Sequence, residues 1–346
     1  MPSHPAGFLT TGYKKGLIMQ RFIIFLLLCF SIPAFSQSFV QMNGALQVKG
    51  IQLCNESGKP VQLKGFSTSG LMHYPQCITY DALKSIRDFW GGTVVRAAMY
   101  VADYGNKRDY NLDPQFNKTI IDSVVCWSER LGIYCIIDWH ILRIGDPNDR
   151  EYAGAAPFFD EMSKKYASKK HVLYEICNEP SGNGIGWDTI AFYANRIIPI
   201  IHKNAPGAVI LIGTPNWCQN LNQVDPSKLI DRKNVMYTFH FYAATHNYLF
   251  PIFFEHIHRI PVFVTEWGPC ESSGNGVVNF PTAEKFADAM RMHILNGDTV
   301  RISWCNYSYV DKKETSASLQ PESCTNCQWD NMTPTGFFVR EYIKKE

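Results

Sequence analysis

The sequence predicts a single (β/α)8 TIM barrel preceded by a short N-terminal β-hairpin. Three observations carry this. Eight short apolar runs that read as strands recur along the chain, several of them separated by helix-like stretches. Their starts are spaced by roughly 25 to 40 residues, the length of a βα unit. Eight such units in about 280 residues is the arithmetic of a closed eight-stranded barrel. The competing architecture is a doubly wound open sheet, which usually carries a Gly-rich phosphate turn after its first strand. The corresponding turn here is Gly65-Phe-Ser-Thr-Ser-Gly70, without a G-x-G-x-x-G pattern.

Taken in order, the chain opens with Arg21 ahead of the apolar run 22–30 and the break at Ala34-Phe-Ser36. A basic start, a short apolar stretch and such a break form the pattern of a secretory signal peptide, and the run is too short to span a bilayer. The expected organisation is a signal peptide at residues 1–36 and one barrel domain at 37–346. Met19 is an alternative start, because residues 1–18 add nothing a signal needs. Leu28-Cys29 is a poor lipoprotein site, since a small residue is expected before the Cys. The protein is therefore expected to be secreted, periplasmic or at the cell surface, with no membrane span after cleavage.

Residues 39–58 alternate polar and apolar side chains, with turn signals at Asn43-Gly44 and Ser57-Gly58, which reads as a hairpin. The barrel strands expected after it are 61–66, 93–99, 134–138, 172–177, 208–212, 235–241, 262–265 and 301–306. Helices are expected at 81–89, 114–131, 188–204, 282–296 and 336–345. The chain ends just after the last of these, so no appended binding module is expected.

Composition bounds the function. The 346 residues are 46% hydrophobic and 18% charged, enough for a large core. A net charge of +2 gives no electrostatic case for nucleic acid or an anionic membrane surface. A monomer is expected. Aromatics at 14% suit a cleft that stacks sugars. Of eleven cysteines, Cys135, Cys177 and Cys305 lie inside apolar runs and read as small buried hydrophobes. Cys324-Thr-Asn-Cys327 lacks a second ligand pair for zinc, so a disulfide or two idle thiols is the expectation.

The chemistry gathers at strand ends. Glu179 stands near the end of the run Val172-Leu-Tyr-Glu-Ile-Cys-Asn-Glu-Pro180, and Glu266 near the end of Val262-Phe-Val-Thr-Glu-Trp-Gly268. Barrel enzymes keep their catalytic groups at the C-terminal ends of the strands. Two carboxylates facing one cleft are what glycosidic-bond cleavage needs, one as proton donor and one as nucleophile or base. The alternative for each is a strand cap in a structural ion pair. The other strand ends supply Arg96 and Tyr100, Asp138-Trp139-His140, Asn178, Trp217, His240 and Tyr242, then Trp304, Asn306 and Tyr307.

Arg96 is suited to keep a nucleophilic carboxylate ionised. Tyr242 is placed to donate to Glu266, and His140 and His240 to bind sugar hydroxyls or tune the acid. Asn178 is placed to contact a sugar 2-hydroxyl, and Trp217 and Tyr307 to stack on pyranose faces. No metal is expected: the first strand ends Gly-Phe-Ser-Thr-Ser without a His-x-His pair. His256-Ile-His258 lies in an apparent helix, where i and i+2 face different ways.

Five blocks carry a resemblance. Arg96-Ala-Ala-Met-Tyr100, Ile136-Ile-Asp-Trp-His-Ile-Leu142, Tyr174-Glu-Ile-Cys-Asn-Glu-Pro180, Tyr237-Thr-Phe-His-Phe-Tyr-Ala243 and Val264-Thr-Glu-Trp-Gly268 stand in this order. Together they resemble glycoside hydrolase family 5, in particular its bacterial endo-β-1,4-glucanases. The resemblance implies a (β/α)8 barrel, retaining double displacement, no cofactor and a β-glucan substrate. By the same resemblance Glu179 matches the acid/base and Glu266 the nucleophile. Arg96, His140, Asn178, His240 and Tyr242 match the residues around them, Tyr100 and Trp217 match cleft positions, and Lys312 and Glu314 match polar contacts on the non-reducing side.

Three positions depart from the pattern. The loop after the first strand in these glucanases commonly reads Ser-Thr-His-Gly-Leu-Gln-Trp, and here Ser69 replaces the His and His73 the Trp. After the eighth strand Tyr307 replaces a Trp. With Trp304, these are the residues whose part in the sugar subsites is open. The expected activity is a secreted retaining endo-β-1,4-glucanase. The alternatives are a related hydrolase on mannan, xylan or mixed-linkage glucan, and a non-catalytic carbohydrate-binding protein on the same scaffold.

Overall fold

Eight parallel strands close into a barrel in chain order, β1 Lys64–Ser67, β2 Val94–Tyr100, β3 Tyr134–His140, β4 Val172–Glu175, β5 Ile210–Ile212, β6 Val235–Tyr242, β7 Val262–Gly268 and β8 Ser303–Tyr307. Closure is made by β8, which pairs with β7 on one side and with β1 on the other. The computed structural model describes residues 37–346, apart from residues 104, 106, 107, 144 and 296. The expected signal peptide, residues 1–36, lies outside the described residues.

Helices connect the strands on the outside. They are α1 Tyr80–Asp88, α2 Pro114–Leu131, α3 Ala155–Lys165, α4 Trp187–Asn204, α5 Phe250–His256, α6 Phe280–Arg291 and α7 Pro334–Lys344. Four of their starts follow capping chemistry: the side chains of Thr79, Asp113, Asn279 and Thr333 each accept from a backbone N–H in the first turn of the helix that follows. Among the described residues no helix is long and apolar enough to cross a membrane.

All eight expected strands form, with ends shifted by a few residues. The hairpin is narrower than expected: Gln47–Lys49 pairs with Gln52–Cys54, whereas Phe39–Asn43 is a helical turn. Ser38 and Gln41 close that turn as a capping box. The helix expected over 282–296 stops at Arg291, and His293–Leu295 pairs back on Asp298–Val300. The Cys-x-x-C pair does not bond to itself. Cys324 is joined to Cys77, and Cys327 is an exposed thiol. Asp311 organises this junction by accepting from the Cys324 backbone N–H at 3.0 Å. Cys135, Cys177 and Cys305 are buried thiols, as expected.

Strand alternation decides what fills the barrel, because residues two apart share a face. Val94, Ile136, Leu173, Leu211, Met236, Phe263 and Cys305 form one apolar cluster in the barrel interior. The hairpin seals it from below with Leu46 and Leu53, and Tyr134 donates its hydroxyl to Gly44 O at 2.7 Å. One step of two further along five of those strands stand Arg96, Asp138, Glu175, Thr238 and Thr265, every one buried. A polar layer therefore rests on an apolar plug. Gly65 lets β1 and β2 approach here, since a Cβ at that position would sit 1.9 Å from Val94 O.

The same parity removes Trp304 from the cleft. Cys305 lies inside the barrel, so Trp304 faces the helices, where it is buried and packs edge-on to Trp267 with ring centroids 5.3 Å apart. It is a core residue and not a subsite residue.

Candidate active site

The polar layer is organised by one guanidinium. Through Nε, Arg96 donates to Glu175 Oε2 at 2.6 Å. Nη1 reaches Ser67 Oγ at 3.1 Å and Glu266 Oε1 at 2.7 Å. Nη2 reaches Asn178 Oδ1 at 2.6 Å and pairs with Asp138 Oδ2 at 2.9 Å. Neither Arg96 nor Glu175 nor Asp138 is exposed, and Glu266 shows only 6% of its side chain.

Three carboxylates around one buried cation cannot all hold charge cheaply in a low-dielectric interior. Burial pushes Asp138 and Glu175 up to about 7, with Arg96 pulling against it in each case. Burial also opposes the charge of Glu266, but His240 and Arg96 outweigh it and hold this carboxyl down at about 2. Tyr242 adds to the bias by donating its hydroxyl to Glu266 Oε2 at 3.0 Å. Glu266 is thus the member of the group that stays ionised, at the top of the layer where the cleft begins.

Glu179 stands across from it. A carboxylate oxygen of Glu179, one of Glu266 and a ring nitrogen of His240 lie within 4.8 Å of one another. His240 Nδ1 is 2.8 Å from Glu179 Oε1, and Nε2 is 2.9 Å from Thr265 Oγ1. Both ring nitrogens are therefore committed within the protein. Burial alone would strip a proton from this ring, but Cys218 and the Glu266 and Glu179 carboxyls outweigh it and hold its pKa well above the usual value. His240 is consequently held toward its protonated form beside Glu179. Two carboxyl groups with opposite surroundings, one paired with a guanidinium and one on a proton-bearing imidazole, are suited to opposite roles.

His140 and Asn178 support this centre from beneath. Burial pulls His140 down to about 4, with Arg96 adding to the shift, so the ring is neutral. Its Nδ1 faces Asp138 Oδ2 at 2.7 Å, and its Nε2 accepts from Asn178 Nδ2 at 3.2 Å. Asn178 also donates to Ile141 O at 3.2 Å. Both amide hydrogens are thereby used inside the protein, and in this arrangement Asn178 orients Arg96 and His140.

One wall of the cleft is built from the positions that depart from the glucanase pattern. Tyr307 Oη lies 3.0 Å from Tyr100 Oη and 3.4 Å from Ser69 Oγ. Tyr100 stacks flat on His140 at 4.2 Å, with His73 edge-on to it at 5.7 Å. His73 Nε2 in turn meets Asp103 Oδ2 at 2.5 Å. Lys312 lies 5.3 Å over the Tyr307 ring and pairs with Glu314 Oε2 at 2.6 Å. The structure thus brings Ser69, His73, Tyr100, Tyr307, Lys312 and Glu314 into one connected wall.

The opposite side is a cleft of about 470 Å³ lined by Glu179, Asn216, Trp217, Gln219, Tyr242, His246, Tyr248 and Ser272. Trp217 is 46% exposed, an unusual setting for an indole. It is presented by a left-handed turn, with φ of 57° at Asn216, 55° at Trp217 and 59° at Cys218. Non-glycine residues adopt that conformation at a cost of roughly 1–2 kcal/mol each. The turn is held by Trp217 N donating to Pro180 O at 3.1 Å and by the Cys218 thiol donating to Asn178 O at 2.9 Å.

Ser67, Glu175, Asn216, Gln219, His246, Tyr248, Thr265 and Ser272 were not singled out from the sequence, although Glu175 and Thr265 stand inside two of the five blocks. Glu175 did have a readable signal, a lone charge within an apolar run.

The cellulase family, described as glycosyl hydrolase family 5, matches residues 54–313. An endoglucanase of Clostridium saccharobutylicum is 38% identical over 339 residues, covering 96% of this chain and 72% of that protein. Endoglucanase A of Evansella cellulosilytica is 40% identical over 293 residues, covering 83% of this chain but 57% of that protein. The chain thus spans between 57% and 72% of the length of these two relatives. Among solved structures, a variant of the endoglucanase catalytic domain of Thermobifida fusca in complex with cellotetraose superposes with a TM-score of 0.80 at 32% identity, over 89% of this chain and all of that one. The structure of the cellulase Cel5C_n superposes with a TM-score of 0.81 at 38% identity, over 88% of this chain and 93% of the other.

Proposed function

The chain belongs to glycosyl hydrolase family 5, and from that premise we propose that it is a retaining endo-β-1,4-glucanase with Glu266 as nucleophile and Glu179 as acid/base. One observation carries the reading of mechanism: oxygens of the two carboxyl groups lie within 4.8 Å of each other. Retaining glycosidases hold these groups about 5–5.5 Å apart, whereas inverting ones need roughly 6.5–9.5 Å to seat a water between them.

Glu266 attacks the anomeric carbon, and the bond to the leaving oxygen breaks as Glu179 gives that oxygen its proton. Arg96 and Tyr242 each hold one oxygen of Glu266, so the attacking carboxylate arrives ionised and oriented. The covalent glycosyl-enzyme is then opened by water, whose proton returns to Glu179.

The cellotetraose complex of the Thermobifida fusca relative supports a β-1,4-glucan chain as the ligand. In this reading Trp217 stacks on sugars beyond the leaving-group side, and Tyr100 and Tyr307 serve the other side. Export follows from the signal-like residues 22–36 and is part of the proposal.

The test is to express residues 37–346 and assay carboxymethylcellulose, barley β-glucan, mannan and xylan side by side. Activity should centre on the first two. Glu266→Gln should abolish turnover with the melting temperature little changed. Dominant activity on mannan or xylan would displace the glucanase assignment, and no activity on any polymer would leave only sugar binding.

A further inference from the structure

An unbroken chain of hydrogen bonds joins the two carboxyl groups beneath the cleft floor. Glu179 Oε1 is 2.8 Å from His240 Nδ1, and His240 Nε2 is 2.9 Å from Thr265 Oγ1. Thr265 Oγ1 donates to Glu175 Oε1 at 2.8 Å. Arg96 donates to Glu175 Oε2 at 2.6 Å and to Glu266 Oε1 at 2.7 Å. Thr265 and Glu175 are fully buried, and the mechanism above assigns neither a task.

With Glu175 ionised, counting protons along this chain fixes its direction. A threonine hydroxyl has one hydrogen and two lone pairs. Thr265 gives its hydrogen to Glu175, so toward His240 it can only accept, and His240 must carry a proton on Nε2. Arg96 holds the other Glu175 oxygen, so once Glu175 is ionised, above its raised pKa of about 7, both oxygens of that carboxyl act as acceptors. The tautomer of a histidine is set by the hydrogen bond its second nitrogen makes. With Nε2 occupied, any proton between His240 Nδ1 and Glu179 Oε1 is the mobile one.

We propose that Thr265, anchored by Glu175, is a positioning residue for the acid/base step. It pins a proton on the far nitrogen of His240, so the near nitrogen shares one proton with Glu179 and presents a lone pair once that proton has left. This rests on Glu179 being the acid/base. Two effects follow. In the first step the proton held between Glu179 and His240 is the one delivered to the leaving oxygen. In the second step the Glu179 carboxylate faces the lone pair of Nδ1. That repulsion is relieved when Glu179 takes a proton from the attacking water. One fixed tautomer therefore serves both the acid and the base half of the cycle.

The test separates proton transfer from nucleophilic attack. With 2,4-dinitrophenyl β-cellobioside the leaving phenolate needs no proton, so kcat/KM reports attack by Glu266 alone, while kcat reports release of the glycosyl-enzyme. Thr265→Val keeps the shape and removes the acceptor. It should lower kcat/KM on cello-oligosaccharides about tenfold or more and lower kcat on the aryl substrate, while kcat/KM on the aryl substrate changes less than about twofold; general acid–base help is typically larger than this. Thr265→Ser should restore both. Glu175→Gln tests the direction: Arg96 requires an oxygen, so the amide nitrogen faces Thr265 and reverses its hydroxyl, and cello-oligosaccharide turnover should fall in the same way.

Equal losses on both substrates in Thr265→Val, no loss, or failure of Thr265→Ser to rescue would overturn the proposal. So would full oligosaccharide activity in Glu175→Gln. Glu179→Gln reports on the premise by itself. A loss concentrated on oligosaccharides supports the acid assignment, and equal losses on both substrates would remove it.

Discussion

Tyr307 and Tyr100 meet hydroxyl to hydroxyl at 3.0 Å, and this contact is the keystone of one cleft wall. Ser69 joins from beneath at 3.4 Å, and the Tyr100 ring lies flat on His140. A Trp at 307 or a His at 69 would bring no such trio of hydroxyls. The wall has exchanged stacking area for polar contact.

Tyr307→Phe should therefore weaken binding more than chemistry. Losing a neutral hydrogen bond costs about 0.5–1.5 kcal/mol, so KM for cellotetraose should rise about two- to tenfold with kcat within about twofold. Steady-state kinetics checks this, and a fall in kcat alone would count against it.

His73→Trp should act the other way. His73 already lies edge-on to Tyr100 at the wall. An indole there adds a platform for the sugar, worth about 0.5–1.5 kcal/mol, so KM on longer cello-oligosaccharides should drop about two- to tenfold. An unchanged KM would mean that sugars do not pass over this residue.

Arg96→Lys keeps a charge but loses the fork that reaches three carboxyls at once. Breaking a buried ion pair typically costs about 3–5 kcal/mol. The variant should melt well below the parent in calorimetry, and its kcat should fall by two orders of magnitude or so, since about 2.7 kcal/mol of lost transition-state stabilisation is a hundredfold. Near-parent activity would show that Tyr242 alone suffices to hold Glu266.

Stability should depend on pH in two opposed directions. Glu266 is held at about 2 against an ordinary 4.5, so its contribution is present above 4.5 and lost as pH falls toward 2. Asp138 and Glu175 are raised to about 7 from 3.8 and 4.5. Their contribution is full below those ordinary values and lost as pH rises through about 7. Tm measured by calorimetry should peak near pH 4 to 5, about where the two trends cross. A Tm that climbs steadily from pH 4.5 to 8 would contradict the raised values.

Cys324→Ser removes a cross-link that spans 247 residues and ties the segment after β1 to the segment after β8. Disulfides typically contribute about 2–4 kcal/mol, so Tm should fall by several degrees. Because the tied segments are those that follow Ser69 and Tyr307, KM should rise as well. Mild reductant should reproduce both effects in the parent and neither in the variant.

Much of this was readable from the chain. Eight apolar runs announced eight strands, because parallel strands buried on both faces must be apolar nearly throughout. Glu179 and Glu266 were legible because a charge closing such a run has few places to go except the barrel mouth. Glu175 was harder: it sits one strand step above Leu173, and only a closed barrel gathers it with Arg96, Asp138 and Thr265. Trp304 was misplaced for lack of parity. Counted from Cys305, it had to face outward. The left-handed turn at Trp217 has no glycine to signal it, and its support comes from Pro180 and Asn178, nearly 40 residues away in sequence.

Arg96 on β2 holds oxygens carried by β1, β3 and β7, and by β4 and the residues just after it, so it ties five of the eight strands at one point. A change there must be absorbed by barrel closure and by bond cleavage together, and no single second-site change can compensate for both. Ser69 and Tyr307 meet each other, Tyr307 bonds to Tyr100 at the end of β2, and His73 bonds to Asp103, so these residues meet the centre through the Tyr100 ring on His140. The molecule is thus divided between a centre closed to variation and a rim that can be rewritten one hydrogen bond at a time. New sugar preferences are reachable from the rim without touching the centre, and an engineer seeking them should leave the barrel interior alone.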